Sequence, residues 1–188
     1  MTNERARTGS VERDGHIRLF CGLQLADDTL DCLTDWQTVN LAAGRIVPRE
    51  NLHITLAFLG DRPSGDVTAV AGALQAASAE AGELDLAVRG YRETRSVGMV
   101  TLEDRGGAAT RLAEGLQSRL EGVGVFRREG RAWLPHITVL RFRERAGLHR
   151  EAPNMCSINA VRAALYRSLL GSGGASYEVL ESVVLGGR

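Results

Sequence analysis

The sequence predicts an α+β domain of two lobes with a cleft between them, on three observations. Strand-type alternation and helix-type spacing both run along the 188 residues, without strict strand–helix–strand order. The tetrad His53-Ile54-Thr55-Leu56 recurs as His136-Ile137-Thr138-Val139, each inside an apolar stretch that reads as a strand, which points to an internal structural duplication. An apolar fraction of 44% and a charged fraction of 24% give enough material for a sizeable core.

The polar segment 1–14 has no apolar signal core and reads as a flexible N-terminal tail, leaving 15–188 as a single bilobal domain. His16 to Leu25 alternates, with Ile17, Leu19, Cys21, Leu23 and Leu25 on one face of a half-buried strand. Asp27 and Asp28 open a helix that carries Leu30, Leu33 and Gln37 on one side, with Trp36 nearby. Pro48 leads into the first tetrad strand. Strict alternation puts Leu52, Ile54, Leu56 and Phe58 on its core face, and Asn51, His53, Thr55 and Ala57 on the other.

Gly60-Asp61-Arg62-Pro63 ends that strand, and Ser64 or Asp66 can cap a helix carrying Val67, Val70, Ala71, Leu74 and Ala77. Strands follow near 84–91 and 95–103. Gly106-Gly107 breaks the chain before a helix with Leu112, Leu116 and Leu120 at four-residue spacing. Pro135 precedes the second tetrad strand, and Arg143 to Pro153 is a charged loop. From about 155 to 185 the pattern is two strands joined at Gly171-Ser172-Gly173-Gly174.

The chemistry rests on the tetrads. Side chains two apart share a strand face, so each tetrad offers an imidazole beside a hydroxyl on a rigid element. A lone strand histidine is ordinarily structural; the repeated unit, in a chain with four histidines, argues for function. Phosphodiester attack needs a base at the incoming oxygen and an acid at the departing one, on opposite sides of phosphorus. Two imidazoles with pKa values near neutrality can fill both roles. Thr55 and Thr138 can donate to the non-bridging oxygens where negative charge grows. Arg141 follows the second tetrad where a phosphate clamp would be useful, but alternation turns it away from His136 unless a bulge or twist brings it round. Trp133 and Phe126 are candidates to stack on a base, or to be core or lid residues. His16 and His149 have no such context and read as solvated.

Other classes are disfavoured. Acidic and basic residues number 23 each, so there is no global polycation for long nucleic acid. All the basic residues are Arg, which GC-rich coding explains as well as phosphate binding does. Three scattered cysteines, Cys21, Cys32 and Cys156, make no disulfide framework; they fit a reducing cytoplasm and read as small buried hydrophobes. There is no apolar run of membrane length, no Walker loop and no HExxH helix or carboxylate cluster, so neither metal nor cofactor is expected.

The residues that carry the argument also carry a family resemblance, over about 16–185. IRLFCGLQL, NLHITLAFLG, PHITVLRF and LYRSLLGSGGASYEVLESVVL resemble the opening strand, the two motif strands and the closing hairpin of the 2H phosphoesterase superfamily. Within it the chain is most similar to the RNA 2′,3′-cyclic phosphodiesterases, also called 2′-5′ RNA ligases. The second motif departs in having Val139-Leu140 where Leu-Ala is usual.

The resemblance implies two antiparallel sheets facing a central cleft, helices outside, and a pseudo-twofold axis. It implies metal-independent hydrolysis of an RNA or oligonucleotide 2′,3′-cyclic phosphate end to a 2′-phosphomonoester, with His53 as proton donor and His136 as proton acceptor. The residues alone do not assign those two roles, because the motifs are locally equivalent. Alternatives that keep the same site are 2′-5′ ligation, a cyclic-nucleotide phosphodiesterase, and a non-catalytic nucleotide- or RNA-binding module. A turnover assay on a short RNA with a cyclic phosphate end separates them.

Overall fold

Alternation makes a strand only where a partner completes its hydrogen bonds, and here almost every strand finds an antiparallel neighbour. The computed structural model describes residues 15–42, 44–128, 130–143, 147, 150–155, 157–171 and 174–185. The segment read as a tail (1–14), His149, Cys156 and the hairpin residues Ser172 and Gly173 lie outside the described residues.

The strands are β1 (His16–Leu25), β2 (Arg45–Ile46), β3 (His53–Pro63), β4 (Leu86–Glu93), β5 (Val97–Asp104), β6 (His136–Arg141), β7 (Ala160–Gly171) and β8 (Gly174–Val184). The helices are α1 (Asp27–Asn40), α2 (Val67–Ala79) and α3 (Ala108–Gly122). Strand order is β4-β5-β6-β3-β1-β7-β8, with β2 on β6. The two expected antiparallel sheets are the two wings of this arrangement. They meet at β3 and β6, where the register is the single pair Ile54↔Ile137. The two wings therefore form one hydrogen-bonded sheet, joined at that pair, where separate sheets were expected.

That pair is the local twofold. Ile54 and Ile137 hold the same place in the two tetrads, and the strands run antiparallel, so rotation about the pair exchanges one motif for the other. The rest of each wing follows. On one side stand β4, β5, α3 and β6, contiguous in the chain. Their counterparts are β7, β1, α1 and β3, with the first taken from the C-terminal region. A duplication whose halves differ in chain order leaves little sequence repeat outside the motifs.

The main core is a single cluster in which Leu19, Leu23, Ile54, Leu74, Leu116, Ile137 and Leu165 are fully buried. α2 packs on α3, and both close the outer side of the sheet. The α2 start differs from expectation in detail. Ser64–Asp66 form a short 3-10 turn, and Asp66 makes no cap bond, its carboxylate being paired with Arg62 at 2.7 Å. Strands β4 and β5 lie two residues and one to two residues beyond the expected spans, respectively. Cys21 is buried, and burial pushes its thiol up to about 12; Cys32 is exposed, contrary to the buried role expected for it. Among the described residues no helix is long and apolar enough to cross a membrane.

Candidate active site

The two motif strands carry their residues in the same burial sequence: half-buried, buried, half-buried, buried, buried, exposed, for His53–Phe58 and for His136–Arg141. Two buried residues in succession break strict alternation. The cause is a β-bulge at the same motif position in each strand. Opposite β1, Thr55 pairs with Gly22 and Ala57 with Cys21, so Leu56 is the extra residue. Opposite β5, Thr138 pairs with Met99 and Leu140 with Gly98, so Val139 is the extra residue. A bulge shifts the residues beyond it by one step of the pleat.

This brings Arg141 round to the face of His136 and Thr138, and it lines a cavity with His53 and Thr55. The same shift corrects the reading of Phe58. Alternation placed it in the core, whereas it is 51% exposed and opens onto the cleft.

Both imidazoles are aimed by the backbone. His53 Nδ1 donates to Asn51 O at 2.8 Å, and His136 Nδ1 donates to Leu134 O at 2.8 Å. A carbonyl can only accept, so Nδ1 carries the proton and Nε2 is left for chemistry in each ring. His53 Nε2 receives a hydrogen bond from Thr55 Oγ1 at 3.1 Å. Asn51 is itself buried and held, its amide donating to Ala175 O of β8 at 2.9 Å.

The surroundings of the two rings differ. His53 lies among Phe20 (4.8 Å between centroids), Tyr177 (5.3 Å, edge-on) and Tyr166 (5.9 Å). Gly22 makes room for it: a Cβ there would stand 2.9 Å from Ile54 O and 3.3 Å from the imidazole Cδ2. Burial in this aromatic box pushes the His53 pKa down to about 4, the hydrogen bond to Asn51 O opposing and the Arg141 charge adding to the fall. Without a ligand, His53 is thus neutral at pH 7.

Two cavities flank the motif strands, and both are lined by Thr55 and Phe58. One, of about 290 Å³, holds His53, Tyr177, Arg18, Arg45 and Arg141, with no acidic residue among the described residues of its lining. Arg45 and Arg141 are direct cross-strand partners between β2 and β6. Three guanidinium groups in one lining give forked donors of the kind that match phosphoryl oxygens, so this cavity suits a phosphoryl group. The Arg45 guanidinium lies over Gly174, where a Cβ would fall within 2.6 Å of its Cζ. The other cavity, of about 730 Å³, holds His136, Phe126, Trp133, Met99, Arg92 and Arg131. Trp133 does not stand free in it, since its indole N–H donates to Thr55 O at 2.9 Å and ties the approach to β6 onto β3.

Of the residues expected from sequence, His53, Thr55 and Arg141 therefore share one cavity and His136 opens on its neighbour. Thr138 is half-buried on the His136 face of β6 but is in the lining of neither cavity. Sequence reasoning missed Arg18, Arg45, Phe58, Phe20 and Tyr177. Arg18 and Phe20 alternate with the core residues of β1 and could have been flagged as its cleft face. Arg45 and Phe58 carried no such signal. Among the described residues, no three His, Cys, Asp or Glu side chains cluster in a way that could hold a metal ion.

Comparison with known proteins agrees with this arrangement. The family model of the LigT like Phosphoesterase family matches residues 35–96, which include the first motif. LigT of E. coli in apo form is similar at 25% identity and a TM-score of 0.75, over 92% of this chain and 99% of that one. LigT of E. coli in complex with 3′-AMP gives 26% identity and 0.78, over 92% and 99%. TT0787 of Thermus thermophilus gives 29% and 0.75, over 92% and 100%. No curated protein matches the chain.

Proposed function

Because the chain belongs to the LigT-like phosphoesterases of the 2H superfamily, we propose that it hydrolyses RNA 2′,3′-cyclic phosphate ends to 2′-phosphomonoesters by two-histidine acid–base catalysis. The observation that carries this reading is the pairing of β3 and β6 at Ile54↔Ile137. It sets two imidazoles, each with Nδ1 held by a carbonyl two residues upstream, on one face beside an arginine-lined cavity. LigT of E. coli has been crystallised with 3′-AMP and with NADP+, which supports a nucleotide as the ligand class.

In this mechanism His136 Nε2 takes a proton from water as the water oxygen bonds to phosphorus. The P–O3′ bond breaks on the opposite side, and His53 Nε2–H gives its proton to O3′. The products are a 2′-phosphomonoester and a 3′-hydroxyl, and exchange with solvent restores the two protonation states. Arg141, with Arg45 and Arg18, holds the phosphoryl oxygens, and Thr55 and Thr138 donate to them as charge grows. Before it can act as the donor, His53 must gain a proton. The negative phosphodiester beside it raises the pKa that burial in the free protein lowers.

The test is turnover of a short RNA bearing a 2′,3′-cyclic phosphate, with the product identified by phosphorus NMR. A 2′-phosphate is expected. A 3′-phosphate would keep the two-histidine chemistry and reverse the orientation of the ribose. Binding without turnover would turn the reading into a nucleotide-binding module.

A further inference from the structure

The bulges in the two motif strands are what carry Arg141 and Phe58 to the cleft, and each bulge is held by a glutamine. Val139 O accepts from Gln37 Nε2 at 2.9 Å, while the other N–H of that amide reaches Val47 O at 3.0 Å. Val47 N–H also donates to Val139 O, at 3.0 Å. Leu56 O accepts from Gln117 Nε2 at 2.9 Å. Leu56 and Val139 are the fourth residues of the two tetrads and the extra residues of the two bulges. The helices are equivalent as well, and they cross over. α1, which leads toward β3, caps the bulge of β6; α3, which leads to β6, caps the bulge of β3.

A bulge leaves one residue outside the ladder, and its carbonyl needs a partner there. Val139 O has Val47 N–H as well as Gln37, so the Gln37 amide acts as a clamp that ties Val139 O to Val47 O. Gln37 is 1% exposed, on the buried face that α1 forms with Thr29 and Leu33. A polar amide at such a place is retained only where it is hydrogen-bonded, and its two N–H groups meet two main-chain carbonyls. We infer that Gln37 and Gln117 are a pseudo-symmetric pair of positioning residues. They hold the strand bulges that turn Arg141 and Phe58 into the cleft. Sliding β6 back into regular register would remove the extra residue and turn Arg141 to the opposite face.

The inference rests on the proposed function for its kinetic readout, so the test has a second readout that does not. Gln37→Met and Gln117→Met keep side-chain length and remove the donor. With the fold intact by thermal melting, Q37M is expected to lower kcat/KM on a cyclic-phosphate RNA about tenfold, chiefly through KM, as for loss of a well-aimed charged hydrogen bond. It is expected to cost nothing further in an Arg141→Ala background, because Gln37 acts through Arg141. Q117M is expected to multiply with Arg141→Ala, because it acts on the other strand. A crystal structure of Q37M is expected to show Arg141 withdrawn from the His53 cavity. That readout stands even if the wild-type protein does not turn over the RNA.

Arg141 unmoved in Q37M, or a Q37M loss that multiplies fully with Arg141→Ala, would overturn the inference. If Q37M does not fold, Gln37→Glu replaces it. Its carboxyl, protonated while buried, supplies one donor. Activity is then expected to fall relative to wild type as pH rises and that carboxyl ionises, and a wild-type pH profile would overturn the inference equally.

Discussion

Strands β3 and β6 start from the same four-residue pattern and end in different surroundings, one histidine on each of two neighbouring cavities. Up to the motif they are copies, with the same burial sequence, the same bulge, the same Nδ1–carbonyl bond and a glutamine on each bulge. The differences come from the neighbours. Opposite Thr55 stands Gly22, and opposite Thr138 stands Met99. Glycine lets the His53 ring sink toward β1, among Phe20, Tyr166 and Tyr177. Five residues after each histidine the bulge delivers Phe58 on one strand and Arg141 on the other. A duplicated scaffold thus supplies two imidazoles in matched geometry, and unmatched neighbours can give them opposite roles. The asymmetry between the two histidines lies in their neighbours and not in the motif.

The strongest way to break the comparison is to remove each imidazole. His53→Ala and His136→Ala should each lower kcat by at least about 10²-fold with the fold retained, the usual range for an acid or base being 10²–10⁴. Near-wild-type turnover in either folded variant would leave that histidine out of the reaction and the two strands unequal in kind.

Thr55→Val and Thr138→Val come next. Each removes one hydroxyl, and a preorganised donor to a developing oxyanion is worth about 10²–10³ in rate. Thr55 lines the arginine-lined cavity and Thr138 does not, so a loss confined to Thr55 would show that the pseudo-symmetry does not reach the substrate.

Arg141→Leu and Phe58→Leu sharpen the contrast at the bulge-delivered position. Loss of a charge-assisted contact should raise KM roughly 10–100-fold for Arg141. The Phe58 change should be felt within about threefold, being a matter of contact area alone. Equal effects would deny the two positions distinct roles.

The electrostatic difference is smaller and can be read directly. NMR titration of His53 in the free protein should give a pKa of about 4, and inorganic phosphate should raise it. The unfolded chain binds this proton at about pH 6.5 and the folded chain does so only well below that. Its contribution to stability is therefore present above pH 6.5 and is lost as pH falls toward 4. A titration near 6.5 in the free protein would mean that the aromatic box does not hold the ring. The smallest effect expected is none: excess EDTA should leave turnover unchanged, and loss restored by one divalent ion would replace the two-histidine scheme with metal chemistry.

Local order alone was enough for the motifs, for the alternation of β1, for the four-residue spacing in α3 and for the closing hairpin, because each depends on a period carried by neighbouring residues. It was enough to pair an imidazole with a hydroxyl on each strand. It also showed that Arg141 required a bulge, without showing whether one existed. A bulge is a mismatch between two strands, and only pairing with β1 or β5 decides which residue is left over. For the same reason Phe58 read as core. Gln37 read as one more residue on a helix face, and Gln117 carried no signal, since their partners are carbonyls 102 and 61 residues away. The environment of His53 was likewise beyond local reading, because its aromatic walls come from β1, β7 and β8. What the sequence by itself determined was which chemical groups stand side by side on each strand. Which of them face the cleft, and how differently the two histidines are held, was decided by strand register and long-range packing.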